Sequence, residues 1–185
     1  LNGELKNNFT IGINDDVTNL SLVSEDIKFE SDTQELVIYG YGSDGMVGAS
    51  KDLLSVIGED KYVQGYFSYD SKKSGGVTIS NLRFSKKPVR SSYYVEKASL
   101  VVCTKDSYLK KLRMLEKINN KGVFVVNTSK TPDEILSMMS SHDKKILQSR
   151  NVKMFIIDAD SIAREAGIPG KISAIMEVLI FKLGK

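Results

Sequence analysis

A glycine-rich turn between a predicted strand and a predicted helix constrains the fold more than any other feature. The turn is residues 40–45, with the sequence Gly-Tyr-Gly-Ser-Asp-Gly. It follows the apolar run 36–39 and precedes an apolar-periodic stretch, 46–57, that predicts a helix. In this order of elements the backbone turns tightly, and the free N–H groups at the start of the helix face an anion. The spacing G-x-G-x-x-G is that of the dinucleotide fingerprint, but it also occurs in tight turns that bind nothing.

A second loop supports a phosphate site. A strand predicted over residues 62–70 ends in a segment that contains Lys72, Lys73 and Ser74. In a parallel sheet, loops that follow the strands leave the same edge. One loop would then offer backbone N–H groups and the other two ammonium groups. Together they suit a ligand with more than one phosphate.

Strands and helices alternate through the rest of the chain. Further strands are predicted at 98–103, 123–126 and 152–157, each followed by a helical pattern. This alternation predicts an α/β fold with three layers, α/β/α, around a doubly wound, mostly parallel sheet. Residues 77–84 alternate apolar and polar side chains, which favours an antiparallel edge strand with one face in solvent. We expect a single domain over residues 1–185, of which 1–8 are loose.

Two threonines are placed to cap helices. Thr104 follows a buried strand and precedes a pattern of inward-facing leucines. Thr131 is followed by Pro132 and by Glu134, which together predict a capping box with proline at the first helical position.

Composition excludes several classes of function. The net charge of +3 is too small to indicate a nucleic-acid partner, and no apolar run approaches transmembrane length. The single cysteine, Cys103, rules out an internal disulfide or a cysteine-ligated cluster held by this chain alone, and it is predicted to be a buried thiol. The single histidine, His142, lies among polar residues and is predicted to be solvated, so we assign no metal. An unpaired thiol fits a cytoplasmic location.

Three hypotheses fit these residues. The first is an NAD(P)-binding Rossmann domain of a dehydrogenase, in which Asp70 would hold a ribose, but no acid–base cluster accompanies it. The second is a module that binds coenzyme phosphates and performs no chemistry. The third is a structural module that contacts other domains and whose lysines are merely solvated.

A longer set of segments resembles a known family. The resemblance covers almost the whole chain, from about Phe9 to the C-terminus, and its segments, in order, are 14–18, 40–49, 64–78, 82–84, 88–91 and 163–167. In this order they resemble the central, gamma-type domain (domain III) of pyruvate:ferredoxin or flavodoxin oxidoreductase.

The resemblance implies a fragment of a large, cytoplasmic, dimeric enzyme of anaerobic metabolism, as the start at Leu1 also suggests. That enzyme converts pyruvate and coenzyme A to acetyl-CoA and CO2 and passes electrons to ferredoxin or flavodoxin. Thiamine diphosphate and iron–sulfur clusters would lie in other domains, and this chain alone would be inactive. Its implied role is to bind coenzyme A phosphates and to help assemble the enzyme. The implied contacts are Gly42, Ser43, Asp44, Gly45, Lys72, Lys73, Ser74 and Asn127.

Overall fold

The computed structural model describes residues 7–13, 17–22, 32–70 and 76–184, which fall into two compact units, 1–31 and 32–185. In the first unit, β1 (Thr10–Ile11) pairs in parallel with β2 (Ser21–Leu22). The single domain expected over residues 1–185 stays a prediction. The segment 14–16, which belongs to the family resemblance, lies outside the described residues.

The second unit alternates strands and helices as predicted. Its elements are β3 (Gln34–Tyr41), α1 (Met46–Ile57), β4 (Tyr62–Tyr69), β5 (Val77–Ser85), β6 (Ala98–Cys103), two 3-10 helices (Asp106–Lys110 and Met114–Lys117), β7 (Ile118–Asn127), α2 (Pro132–Met138), α3 (Ser141–Ser149), β8 (Lys153–Ile157), α4 (Ala159–Glu165) and α5 (Ile172–Leu183).

The six strands of this unit form one mixed sheet in the order β4-β5-β3-β6-β7-β8. From β3 to β8 the neighbours pair in parallel, whereas β5 pairs antiparallel with both β3 and β4. The strand β4 therefore belongs to a hairpin, because the link 70–76 is far too short for the crossover that a parallel pair requires. The chain still runs along β4 in the same direction as along β3, so the loops that follow them leave the same edge, as predicted.

Two apolar clusters cover the two faces of the sheet, which confirms the three-layer α/β/α fold. One face carries residues such as Leu36 and Val102 and packs against α1 and α5 through Leu53 and Met176. The other face carries alternate residues of the same strands and is covered by the 3-10 helices, α2 and α3. Because both faces are buried, the middle parts of the central parallel strands are continuous apolar runs, at 36–39, 100–103 and 123–126.

The strand β5 is antiparallel, as predicted, but it lies inside the sheet, and its polar face is covered. Asn81 and Arg83 are only 2% and 1% exposed. The segment 86–97 lies over them: the Asn81 Oδ1 accepts from the Val95 N–H at 3.2 Å, and an Arg83 Nη1–H donates to the Tyr93 carbonyl at 2.8 Å. The prediction of a solvent-facing side was wrong because alternation reports polarity, and a covering loop can satisfy polar groups as well as water does.

The two predicted helix caps differ in outcome. The capping box at Thr131 is confirmed: its hydroxyl accepts from the Glu134 N–H at 3.4 Å, and the Glu134 carboxylate accepts from the Thr131 N–H at 2.8 Å. The cap predicted at Thr104 is wrong, because a 3-10 helix follows it, begins after Lys105 and has no side-chain cap. In the described ranges, no helix combines the length and apolar character needed to cross a membrane.

Candidate functional site

The turn between β3 and α1 lies at the carboxyl edge of the sheet, the edge at which ligands commonly bind in α/β proteins. Ser43 and Gly45 both adopt left-handed backbone conformations, with φ of 78° and 79°. The Asp44 N–H donates to the Tyr41 carbonyl at 2.9 Å, which closes the turn. The chain thereby reverses from strand to helix within a few residues.

The Asp44 side chain points into this turn and holds it. Its Oδ2 accepts from the Tyr41 N–H at 2.6 Å, and its Oδ1 accepts from the Met46 N–H at 2.9 Å. Met46 is the first residue of α1, so the carboxylate places a negative charge at the start of the helix, where it is favourable. The N-cap residue of α1 is Gly45, which has no side chain to cap the helix, so this bond to the first helical N–H comes from the residue before the cap.

Two glycines of the fingerprint are needed for internal packing. A Cβ on Gly40 would lie 2.5 Å from the Thr78 Oγ1, and one on Gly45 would lie 2.9 Å from the Ser173 Oγ. The Gly42 N–H donates to the Gly76 carbonyl at 2.8 Å. Several N–H groups of the turn therefore already donate within the protein, and fewer remain for an anion than the motif suggests.

The segment that carries Lys72, Lys73 and Ser74 lies outside the described residues, but its two ends are described. The Asp70 N–H donates to the Val77 carbonyl at 3.0 Å, and the Gly76 carbonyl accepts from Gly42. The described residues on either side of the segment, Asp70 and Gly76, therefore lie at the edge that carries the glycine turn.

A chain of side-chain hydrogen bonds connects this turn to the neighbouring parallel strands. The Thr104 hydroxyl, just after β6, donates to the Asp44 Oδ2 at 2.9 Å. At the end of β7, the Asn127 Nδ2 donates to the Thr104 carbonyl at 3.2 Å, and its Oδ1 accepts from the Ala159 N–H at 2.9 Å. Asn127 is 7% exposed. Its buried amide links the connections that follow β6, β7 and β8.

Two side chains that sequence reasoning missed lie near the same turn. The Lys105 ammonium is 3.9 Å from the centroid of the Tyr41 ring, a cation–π contact that places a cation beside the glycine turn. The Tyr108 hydroxyl is buried and makes no hydrogen bond within the described part of the chain. Burial raises its pKa, and the charge of Asp44 raises it further, so it is a neutral donor. Lys105 comes two residues after the end of β6. Because the loops that follow parallel strands leave the same edge of the sheet, the sequence could have predicted that Lys105 lies near the glycine turn.

Next to Lys105, Asp106 forms a second polar group at this edge. Its carboxylate accepts from the Thr128 hydroxyl at 2.9 Å and from the Lys130 ammonium. Burial raises the pKa of Asp106, but the hydrogen bonds from Lys130 and Thr128 outweigh burial and bring the pKa below its usual value. This carboxylate is therefore ionised and is paired with a cation at neutral pH.

The predicted burial of the cysteine and exposure of the histidine are confirmed. Cys103 is fully buried, and its thiol donates to the Lys105 carbonyl at 3.1 Å. Burial raises the pKa of this thiol to about 12, so it carries no reactive thiolate. The His142 side chain is 61% exposed and lies 3.5 Å from a Glu116 carboxylate oxygen.

The mixed sheet defines this unit as an α/β domain. The loops at its carboxyl edge carry polar side chains, among them the cations Lys105 and Lys130. Comparison with known proteins gives the family. A family model described as pyruvate ferredoxin/flavodoxin oxidoreductase matches residues 35–185, and this chain belongs to that family.

Curated relatives agree with this assignment. The chain is 43% identical over 185 residues to a pyruvate:ferredoxin oxidoreductase of Moorella thermoacetica, covering 96% of this chain and 16% of that protein. It is 43% identical to a pyruvate-flavodoxin oxidoreductase of Trichormus variabilis, with 96% and 15% covered. It is 41% identical to a pyruvate dehydrogenase [NADP(+)] of Cryptosporidium parvum, with 96% and 10% covered. The chain thus spans about one sixth or less of the length of these relatives.

Solved structures share the fold. The pyruvate oxidoreductase subunit PORC of Thermotoga maritima superposes with a TM-score of 0.64 at 22% identity, covering 81% of this chain and 76% of that one. A 2-oxoglutarate:ferredoxin oxidoreductase of Magnetococcus marinus, solved with 2-oxoglutarate, coenzyme A and succinyl-CoA bound, gives a TM-score of 0.57 at 15% identity, with 80% and 23% covered.

Proposed function

We propose that this chain is the coenzyme A phosphate-binding and assembly domain of an enzyme that oxidatively decarboxylates pyruvate. In the complete reaction, pyruvate and coenzyme A give acetyl-CoA and CO2, and two electrons leave to an acceptor. Family membership and relatives with about 40% identity that are named for this reaction support the proposal. The related fold of an oxidoreductase solved with coenzyme A bound supports the choice of ligand.

One observation carries the assignment to the glycine edge. The Gly42–Gly76 hydrogen bond places Gly76, the first described residue after the lysine-bearing segment, beside the glycine turn, and Lys105 is a cation near the same turn. Coenzyme A carries a diphosphate and a 3′-phosphate, and lysines serve such groups as point charges. We assign the phosphate contacts to Ser43, Gly45 and the segment containing Lys72, Lys73 and Ser74. Gly42, whose N–H donates to Gly76, enters the proposal together with Asp44 and Asn127 through the shape that they impose on the edge.

The electron acceptor is assigned to other domains. Relatives named for ferredoxin, for flavodoxin and for NADP(+) match this chain at 43%, 43% and 41% identity. A region that selected the acceptor would be expected to separate these relatives. We therefore place the acceptor site outside residues 1–185. The family resemblance leads us to place thiamine diphosphate and the iron–sulfur clusters in other domains as well, and the complete enzyme in the cytoplasm as a homodimer. We expect residues 1–185 alone to turn over no pyruvate.

The test is calorimetric titration of coenzyme A into the complete polypeptide that contains this sequence. We expect Lys72→Ala with Lys73→Ala to weaken coenzyme A binding at least ten-fold and to leave the KM for pyruvate unchanged, since each charge-assisted contact contributes about 1.5–3 kcal/mol. The matched control is Lys86→Ala with Lys87→Ala, an exposed lysine pair at the other end of β5. Equal affinities in both double variants would contradict the phosphate role.

A second candidate, a structural module between domains, is favoured by one observation. The turn uses the N–H groups of Tyr41, Gly42 and Met46 internally, as an unliganded turn would. The same titration separates the two candidates, because a structural module predicts no change in coenzyme A affinity when the lysines are removed. Tight binding of NADPH that these lysines control would instead support a dinucleotide site.

A further inference from the structure

A cavity on the sheet face opposite α1 has the composition of an anion site and has no place in the function proposed above. It has a volume of about 470 Å³. Its walls come from the end of the first 3-10 helix, from the link that follows it and from the start of α3. Its lining residues are Leu109, Lys110, Lys111, Leu112, Arg113, Ser140, His142 and Asp143. This volume is within the range of about 300–1,000 Å³ that small-molecule sites occupy.

The charges of the lining are mostly positive, and two of them are uncompensated. Within the described ranges, Lys110 and Lys111 form no ion pair, whereas Arg113 lies 3.3 Å from a Glu116 carboxylate oxygen. The same Glu116 oxygen lies 3.5 Å from the His142 Nε2, so this carboxylate outside the cavity is a partner of two side chains of the lining. The two lysines remain to meet an anion.

The one carboxylate in the lining is already engaged. The Asp143 side chain accepts from the Ser140 hydroxyl at 2.6 Å, and Asp143 is only 8% exposed. Lys110, Lys111 and Arg113 are exposed, so the accessible charge at the rim is cationic. Leu109 and Leu112 supply an apolar part of the wall. An occupant therefore needs both an anionic group for the lysines and an apolar or aromatic part for the leucines.

We propose that this cavity binds a phosphorylated small molecule of mononucleotide size, with its phosphate at Lys110 and Lys111 and its base or other apolar part against Leu109 and Leu112. The site is separate from the glycine turn, since none of its lining residues belongs to the segments assigned to coenzyme A. Its occupancy is therefore expected to be independent of Lys72 and Lys73.

The experiment is calorimetric titration of adenosine 5′-monophosphate into the complete polypeptide, with inorganic phosphate as a second probe. We expect the nucleotide to bind more tightly than phosphate, and Lys110→Gln with Lys111→Gln to weaken its binding at least ten-fold. The matched control is Lys144→Gln with Lys145→Gln, which removes the same charge from exposed positions of α3 outside the cavity lining. A further variant, Leu112→Asp, is expected to weaken the nucleotide more than it weakens phosphate.

Three results would overturn the proposal: no binding of the nucleotide at 1 mM, equal weakening in the two lysine variants, or weakening by Lys72→Ala with Lys73→Ala instead. Equal weakening would mean that only overall charge matters. Weakening through Lys72 and Lys73 would mean that the nucleotide occupies the coenzyme A site. Thermal unfolding of each variant without ligand identifies any variant that has lost its fold, and Lys110→Gln alone then serves in place of the double change.

Discussion

Asp44 and Arg83 are both charged side chains set into the second unit, but their partners differ in sequence distance. Asp44 is held mainly by its own turn, through the N–H groups of Tyr41 and Met46. In the described part of the chain, the partners of Arg83 are all distant in sequence: its Nε–H donates to a Glu35 oxygen at 2.6 Å, and an Nη1–H donates to the Gln64 Oε1 at 3.1 Å. Asp44 therefore shapes a local turn, whereas Arg83 joins three strands and a covering segment.

The two groups also differ in how completely they are satisfied. Asp44 accepts three hydrogen bonds, the third from the Thr104 hydroxyl. Arg83 is 1% exposed, and its Nη2 makes no hydrogen bond within the described residues. Its guanidinium carbon lies 4.8 Å from the centroid of the Tyr93 ring, which compensates part of the charge. A buried ion pair of this kind adds little net stability, but loss of one partner is costly.

The largest effect is therefore expected at Arg83. Replacement Arg83→Met leaves the Glu35 carboxylate unpaired and removes the donor to the Tyr93 carbonyl, which we expect to lower the free energy of unfolding by about 3–5 kcal/mol. Urea unfolding at pH 7, followed by circular dichroism, measures it. Adding Glu35→Leu removes the stranded charge and is expected to restore part of the loss.

The control for Arg83 is Lys86→Met, an exposed position just after the same strand, where a change within about 0.5 kcal/mol is expected. Similar losses at both positions would mean that the buried network does not hold the segment 86–97 on the sheet.

At Asp44 the expected effect is smaller. Asp44→Ala leaves two N–H groups and the Thr104 hydroxyl without their acceptor, at an expected cost of about 2–3 kcal/mol, because water can reach part of this turn. Asp44→Asn keeps one oxygen and is expected to cost about 1 kcal/mol. Chemical unfolding of both, beside Asp52→Ala at an exposed position of α1, gives the comparison. A loss larger than that of Arg83→Met would reverse the order inferred here.

Two glycines near Asp44 test the local turn, because replacing them by alanine is expected to change the free energy of unfolding in opposite directions. Gly45→Ala places a side chain at φ 79° and against Ser173, and is expected to cost about 1–2 kcal/mol. Gly48→Ala, three residues further on in α1, meets no atom within 4 Å and is expected to stabilise by about 0.5–1 kcal/mol. Thermal unfolding of the two variants measures both changes. A change in stability of the same sign at both positions would contradict the strain that a left-handed backbone imposes on alanine at position 45.

These residues also show what could be predicted from the sequence. The turn at 40–45, the helix after it and the capping box at Thr131 were predicted because their signals and their partners lie within a few residues. The layer architecture followed from the alternation of strands and helices. The position of β5 and the burial of Arg83 could not be predicted, because their partners lie 10 to 48 residues away in sequence.

The candidate site divides in the same way. The shared edge of the glycine turn and Asn127 followed from the rule that parallel strands end together, and that rule would also have found Lys105. The hydroxyl of Thr104 was assigned to a helix cap, although it donates to Asp44, because a short-range signal competes with a contact that is 60 residues distant. The family resemblance supplied the ligand, which no local pattern in the chain specifies.

The smallest expected effect concerns Asp106, a carboxylate that is paired near solvent. Its pKa is lower in the folded state than in the unfolded state, so its contribution to stability is present above the unfolded pKa of about 3.9 and is lost as the pH falls through the folded pKa. We expect Asp106→Asn to lower the free energy of unfolding at pH 7 by less than about 1 kcal/mol, because the pair with Lys130 is screened by water. Below the folded pKa, the free energies of unfolding of wild type and variant should converge.

The free energy of unfolding of Lys130→Met is expected to converge with that of the wild type in the same way. The control Lys144→Met, on the exposed side of α3, should follow the wild type at every pH. Unfolding curves from pH 7 down to about pH 2 measure this, and a constant difference between wild type and Asp106→Asn would show that the carboxylate stabilises through packing alone.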